Sequence, residues 1–510
     1  MNTVQLVKRI AAGALAAVMA VGAVSSSVFA DEAYNGYNYD WWGDPVPSQN
    51  GYIVDTVISG TDMGVGNFNS LNDIFVDNET GLIYLTDKGN NRIVITDESF
   101  SAENTKVLDT FRYGTEFPES KSVIKQTTLK NPNATFVTHY NDKTLIYIAD
   151  YDNDRVLACY EDGTIFMEYT RPSSDLFAAE YTFKPSNMCV DNALNVYVVI
   201  KSITTGMVQF SSNGNFNGYY GANRVEKTAE VIANTFWKLV MSREQYRKMA
   251  RSVAVEIGNV DIDDEGFIYT VTGTKNSETD ILKKLNPAGE NVYTNMGYDN
   301  IVFGDVTYYD GKNNYSSVIS DVDIDQNGNV FLLDTAEKRV FQYSDELDRE
   351  FIFGGDGYQK GLFLSPTALE NLNGKVYVTD GRKNSITVFK LTEFGELVQE
   401  AVALFNRGLY DAAKAPFEEV IKRDSNYWFA YIGLGNAYYT QGDYETAMDY
   451  FYMHSRGGYN RAFKEYRINF VRANFNVFII VIVAVIIVLV VITQIRKHIK
   501  KKKSKAGGKK

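Results

Sequence analysis

Six short apolar runs recur along this chain, each led by an aromatic residue: Tyr84-Leu-Thr-Asp87, Tyr147-Ile-Ala-Asp150, Tyr197-Val-Val-Ile200, Tyr269-Thr-Val-Thr272, Phe331-Leu-Leu-Asp334 and Tyr377-Val-Thr-Asp380. Aromatic and β-branched residues suit strands, and the aspartate that ends four of the runs suits the turn that follows. Successive aromatics lie 46 to 72 residues apart. That is too far for a chain of simple hairpins. It fits a repeated unit of about four strands with loop insertions.

The first copy displays the order of the unit. Asp73 to Gly81 gives a strand and a turn, Ile83 to Asp87 a second strand, Lys88 to Asn91 a second turn, and Arg92 to Thr96 a third strand. The order returns at Val190 to Phe210, Ile262 to Leu285, Ile324 to Tyr343 and Ala368 to Phe389, with a looser copy at Phe136 to Tyr160. Radial repetition of such units makes a β-propeller, here of six blades over residues 52–392. Tyr52 to Ile58 precedes the first copy as a spare strand. It is expected to complete the last blade and close the ring, which removes an open sheet edge. Residues 31–51, with Tyr34 to Trp42 rich in Tyr, Asn and Trp, read either as a strap over the propeller or as an exposed arm.

The copies resemble NHL repeats, whose pattern joins an Asp-x-x-Gly-Asn-Ile-Tyr core to an Asp-x-x-Asn-x-Arg-Ile stretch; Asp87 to Ile93, Asp150 to Val156 and Asp334 to Val340 match it best. The aspartate is expected to accept backbone N–H bonds in the following turn, and the arginine to reach a neighbouring carboxylate. Both roles are structural rather than catalytic.

The period changes twice. Val231, Ile232, Thr235, Phe236, Leu239 and Val240 share one helical face, and Ser242-Arg-Glu-Gln245 reads as a capping box, so a helical hairpin is expected at about residues 226–252. It is either a lid or a packing decoration. From Leu397 helical periodicity takes over, and Gly408, Tyr410, Ala413 and Phe417 align at a shift of 34 residues with Gly442, Tyr444, Ala447 and Phe451. Together with Leu434-Gly435 and Tyr438 the set resembles the tetratricopeptide repeat, in an α-helical module over 393–470. The resemblance implies a concave side that receives a peptide or helix; a plain spacer is the alternative.

The ends fix the compartment. Lys8-Arg9, the apolar stretch Ile10 to Val24 and the small-residue approach to Ala30 form a signal peptide over 1–30, with an uncleaved anchor as the alternative. Phe475 to Ile495 carry no charge and can cross a hydrocarbon core. The basic tail 496–510 has no acidic residue, so the positive-inside rule assigns it to the cytoplasm and residues 31 to 470 to the outside. The tail reads as a stop-transfer signal that could also touch anionic headgroups. Two of the 51 basic residues lie in the signal and nine in the tail, which leaves 40 against 63 acidic residues outside, a net charge near −23. Nucleic acid is not an expected partner of such a surface.

Cys159 and Cys189 fall in strands and are expected as buried free thiols, with a disulfide or a reactive site as the alternatives. With three histidines and no Cys/His cluster, zinc is not expected. The candidate site is one inner-strand position, four residues before the acidic residue in four units and polar in all of them: Asp73, Asn187, Asn259 and Asp321. Inner strands line the central channel, where these oxygens could hold Ca²⁺ or hydrogen-bond a sugar; capping strand starts is the competing role. Pro185-Ser-Asn-Met-Cys-Val-Asp191 resembles the Pro-Asp-Gly segment of gluconolactonase-family propellers, which implies a catalytic metal. Ser186 stands where that family has its ligand aspartate, and Asn187 is displaced by one, which reverses its side on a strand.

Two functions are open. One is a non-enzymatic receptor or scaffold, binding a protein or carbohydrate ligand and serving as accessory to a membrane complex through its helical repeats. The other is a metal-dependent hydrolase or lyase acting on a sugar-derived substrate.

Overall fold

The computed structural model describes residues 32–40, 44–114, 126–223, 255–273, 280–296, 303–309, 312–315 and 317–506. The signal segment, Trp41-Trp42 and the helical insertion expected at 226–252 lie outside the described residues. The chain divides into two compact units, Met1–Gln399 and Glu400–Lys510. The last propeller strand ends at Leu391 and the first C-terminal helix runs from Glu393 to Asn406, across that division.

Six of the sheets described in the first unit are propeller blades, antiparallel but for one pair in blade two. Their inner strands are Leu71–Asp77, Pro132–Tyr140, Pro185–Val190, Asn259–Ile262, Ile319–Ile324 and Pro366–Leu372. Each inner strand neighbours the next, and the sixth returns to the first. The spare strand behaves as expected: Tyr52–Ser59 pairs antiparallel with Ser385–Leu391 and becomes the outer strand of blade six. The first and last strands of the propeller are thereby tied by a backbone ladder.

Two blades depart from four strands. Blade four has three among the described residues, Asn259–Ile262, Ile268–Val271 and Leu282–Leu285. Blade two has six, because the chain leaving blade one pairs Thr110–Tyr113 in parallel with Thr164–Thr170 and then adds Thr127–Thr128. Gly163 permits this addition: it has φ +79°, and a Cβ there would meet the carbonyl oxygen of Thr110. The Gly163 carbonyl in turn accepts from Arg112 N–H at 2.9 Å.

All six leading aromatics are buried: Tyr84, Tyr147, Tyr197, Tyr269, Phe331 and Tyr377 are 0 to 6% exposed. Burial of such a ring contributes on the order of 2–3 kcal/mol, so the repeated aromatic is a blade-packing residue. The repeated aspartate is a staple. Asp87 accepts from Asn69 N–H at 2.8 Å, from Asn90 at 2.8 Å and from Arg92 Nε at 2.7 Å. Asp150 repeats the pattern with Lys130 N–H at 2.7 Å, Asn153 at 2.8 Å and Arg155 Nε at 2.8 Å. In these two copies the backbone donor comes from the loop before the blade rather than from the following turn. Asp334 and Asp380 do accept from the following turn, at Ala336 and Glu337 and at Arg382 and Lys383.

The N-terminal segment is a strap. Tyr37–Tyr39 pairs with Pro45–Pro47, and both tyrosine hydroxyls donate to Asp305, at 2.6 to 2.8 Å. Arg339 also bonds Asp305 and the Tyr37 hydroxyl, instead of the aspartate of its own repeat as Arg92 and Arg155 do. Arg349 lies 4.3 Å over the Tyr39 ring. Tyr39 is 8% exposed and packs in the core shared with Tyr269, Val322 and Tyr343.

In the second unit the positions paired at 34 residues play matching parts. Gly408 and Gly442 are left-handed, φ +74° and +84°. Tyr410 and Tyr444 open the helices Tyr410–Arg423 and Tyr444–Phe451, Ala413 and Ala447 are fully buried, and Phe417 and Phe451 fill the gaps between helices. A Cβ on Gly433 or Gly435 would run into the rings of Phe417 and Phe451, respectively. Helices Trp428–Gln441 and Arg456–Ala473 complete the module. The final helix, Phe475–Ala506, exposes every side chain from Phe475 to Ile495 and is long and apolar enough to cross a membrane.

Candidate functional site

A register shift at the start of the inner strand sets the candidate position. It falls at Leu71/Asp73, Pro185/Asn187, Ile319/Asp321 and Pro366/Ala368 in blades one, three, five and six, and at Pro132/Thr135 in blade two. Such bulges re-aim the next side chain and end the pairing. Thr135 N–H donates to Asp73 at 2.8 Å, and Leu369 N–H donates to Asp321 at 2.7 Å. The residue before each donor, Ala134 and Ala368, therefore occupies the candidate position in blades two and six.

The structure brings three of the four expected residues together. Asn187 Nδ2 donates to Asn259 Oδ1, and Asn259 Nδ2 donates to Asp321 Oδ1. Asp73 stands apart from this chain of bonds and reaches across to blade two. Each of the four thus bonds to the blade that follows its own, linking one to two, three to four, four to five and five to six. Capping accompanies the linking: Asn187 Oδ1 accepts from Met188 N–H at 2.6 Å, and Asn259 Oδ1 from Val260 N–H at 2.8 Å.

A second layer lies two residues further along the same strand faces. It comprises Phe75, Phe136, Cys189, Asp261, Asp323 and Glu370. Phe75 and Phe136 pack with ring centroids 4.9 Å apart, and Cys189 is fully buried, so blades one to three give one side of the channel an apolar lining. Blades four to six give the other side three carboxyl groups. Asp323 accepts from Asn371 Nδ2 at 2.6 Å; Asp261 and Glu370 are half-buried.

Burial dominates the electrostatics. It pushes the Asp73 carboxyl up to about 7. Asp321 is raised well above the usual range, by burial and then by the charge of Asp73. Asp261, Asp323 and Glu370 are also raised, first by burial and then by neighbouring carboxylates. Burial and mutual repulsion thus both disfavour the charged form of these carboxyls.

Alternation in Asn259-Val-Asp261-Ile and Asp321-Val-Asp323-Ile was the available signal for the second layer. In an open sheet that pattern marks a solvent face, whereas here it faces the channel. Among the described residues, no three His, Cys, Asp or Glu side chains are grouped to hold a metal ion. Cys159 and Cys189 are free and buried, and burial pushes both thiols up. A separate cleft of about 500 Å³ opens in the strap, lined by Asn35, Tyr37, Val46 and Asn50 among others.

No protein-family model and no curated protein matches the sequence. Among solved structures the chain is similar to a virginiamycin B lyase from Staphylococcus aureus, at 8% identity and TM-score 0.36 over 67% of this chain and 100% of the other. It is also similar to a gluconolactonase from Xanthomonas campestris, at 9% identity and TM-score 0.37 over 64% and 87%. A protein of unknown function from Bacteroides thetaiotaomicron gives 11% identity and TM-score 0.40 over 69% and 80%. Likenesses of this degree say nothing about activity.

Proposed function

We propose that this protein is a membrane-anchored platform: a propeller held outside the cell that binds a protein or carbohydrate ligand, with helices that recruit a neighbour in a membrane complex. The use the channel makes of its polar residues carries this reading. Asp73, Asn187, Asn259 and Asp321 are engaged in bonds from blade to blade. They support a rigid ring, and recognition is left to the loops that the ring positions. The same chain continues into a helical module of tetratricopeptide-like spacing and a helix able to span a bilayer. Affinity capture from native membranes, with full-length protein and with a variant lacking residues 397–456, tests the recruitment. The expected result is a partner lost on deletion; an unchanged set of partners would reduce the helices to a spacer.

The carboxyl groups of the channel motivate the second reading, a metal-dependent hydrolase or lyase. Two observations weigh against a cation at the first polar layer. The Asn259 and Asp321 oxygens it would need accept amide N–H groups, and Ser186 bonds the Val199 carbonyl at 3.2 Å. Excess Ca²⁺ is expected to leave the melting temperature unchanged in the wild type and in Asp321→Ala. A rise in the wild type that Asp321→Ala abolishes would favour the hydrolase.

A further inference from the structure

Helix Arg456–Ala473 leads into the apolar helix Phe475–Ala506 with only Asn474 between them. At helical periodicity Tyr459, Phe463, Tyr466 and Phe470 fall in one stripe, spaced by four, three and four residues. Phe463, Tyr466 and Phe470 are 40, 37 and 54% exposed. Tyr459 stacks on Phe463 with centroids 6.2 Å apart, and Phe470 reaches Phe478, in the first turn of the apolar helix, at 6.2 Å. The ring stripe therefore runs unbroken into the segment read as the membrane span.

Charge marks the same helix. Arg456, Arg461, Lys464, Arg467 and Arg472 face a single acidic residue, Glu465, in a chain whose outside portion carries a net charge near −23. The Arg467 guanidinium lies 5.4 Å over the Phe463 ring, which puts a cation directly beside the stripe. Packing holds only the start of the helix: Ala462 is buried with Ala447 and Phe451, whereas from Tyr466 to Ala473 every residue except Ile468 is exposed. Large rings in an exposed row are unfavourable in water. Aromatic rings flanked by Arg and Lys match the boundary between acyl chains and headgroups.

We infer that residues 463–473 are seated on the anionic headgroup layer of the membrane that the last helix crosses, with the rings at the interface and Lys464, Arg467 and Arg472 on lipid phosphates. The inference rests on reading Phe475 to Ile495 as a membrane span. The test uses the full chain in nanodiscs of phosphatidylcholine, with or without phosphatidylglycerol, in ordinary and brominated forms. Tyr466→Cys, Phe470→Cys and, within the span, Val485→Cys each carry a bimane label; the native thiols are buried and stay unlabelled.

Brominated lipid is expected to quench all three labels. Quenching at 466 and 470 should strengthen with phosphatidylglycerol, and K464Q/R467Q/R472Q should lose that gain. Quenching at 485 alone would overturn the inference and leave the span standing. So would labels at 466 and 470 that are already shielded in lipid-free detergent, the sign of a protein cover. No quenching at 485 would remove the span and the inference together.

Discussion

Asp73→Asn should stabilise the propeller, and more strongly at pH 8 than at pH 5. Asp73 is 8% exposed, and burial lifts its carboxyl from 3.8 to about 7 in the folded state. A carboxyl raised in this way holds its proton in the folded protein and loses it in the unfolded chain between about pH 4 and 7. Its contribution is complete below about pH 4 and is lost as pH rises through about 7. Linkage with those two values gives a wild-type loss of about 2–3 kcal/mol between pH 5 and pH 8. Asparagine mimics the protonated acid and carries no such term. Asparagine also fits this strand position, since Asn187 and Asn259 occupy it in blades three and four. With about 2.1 cal/mol/K of unfolding entropy per residue over roughly 340 propeller residues, the gain corresponds to about 4 °C. Thermal denaturation of both proteins at pH 5 and pH 8 measures it. A variant equally destabilised at both values, or a difference that does not grow with pH, would refute the burial of an ionisable Asp73.

Gly433→Ala drives a methyl group into the buried Phe417 ring and should cost about 1–3 kcal/mol in the helical module, read as a lower midpoint of its helical circular-dichroism melt. Tyr39→Phe removes a 2.6 Å bond to Asp305 and should cost about 1.5–3 kcal/mol locally. Faster amide exchange confined to the strap, residues 37–47, is the expected observation, and unchanged exchange there would show that Tyr37 and the arginines suffice to hold it.

The blades were readable because each copy repeats a local solution. An aromatic must be buried at the same place in each sheet, and a carboxylate must satisfy backbone donors at the same turn, so Tyr84 and Asp87 return as Tyr147 and Asp150. The ring-closing strand was readable for a related reason, since Tyr52–Ser59 has strand chemistry and no local partner. The acid side of the channel was not. Asp261, Asp323 and Glu370 belong to three successive blades, and only the radial arrangement of those blades turns a solvent-like alternation into a crowded interior. Nor could the chain disclose that Arg339 abandons its repeat role. Its partners Tyr37 and Asp305 lie 302 and 34 residues away, and neither belongs to a repeat. Of the candidate position, the four polar residues were legible. Their partners were not, because which blade follows which decides whether an amide meets a side chain or a backbone N–H.

The claim that a propeller is held outside the cell by the last helix is tested most directly by labelling intact cells with a membrane-impermeant maleimide. Leu176→Cys places a thiol on a propeller residue that is 70% exposed, and Ser504→Cys places one in the basic tail, against a background of two buried cysteines. The account predicts labelling at 176 in intact cells and labelling at 504 only after permeabilisation. Labelling at 504 in intact cells, or protection of 176, would contradict it.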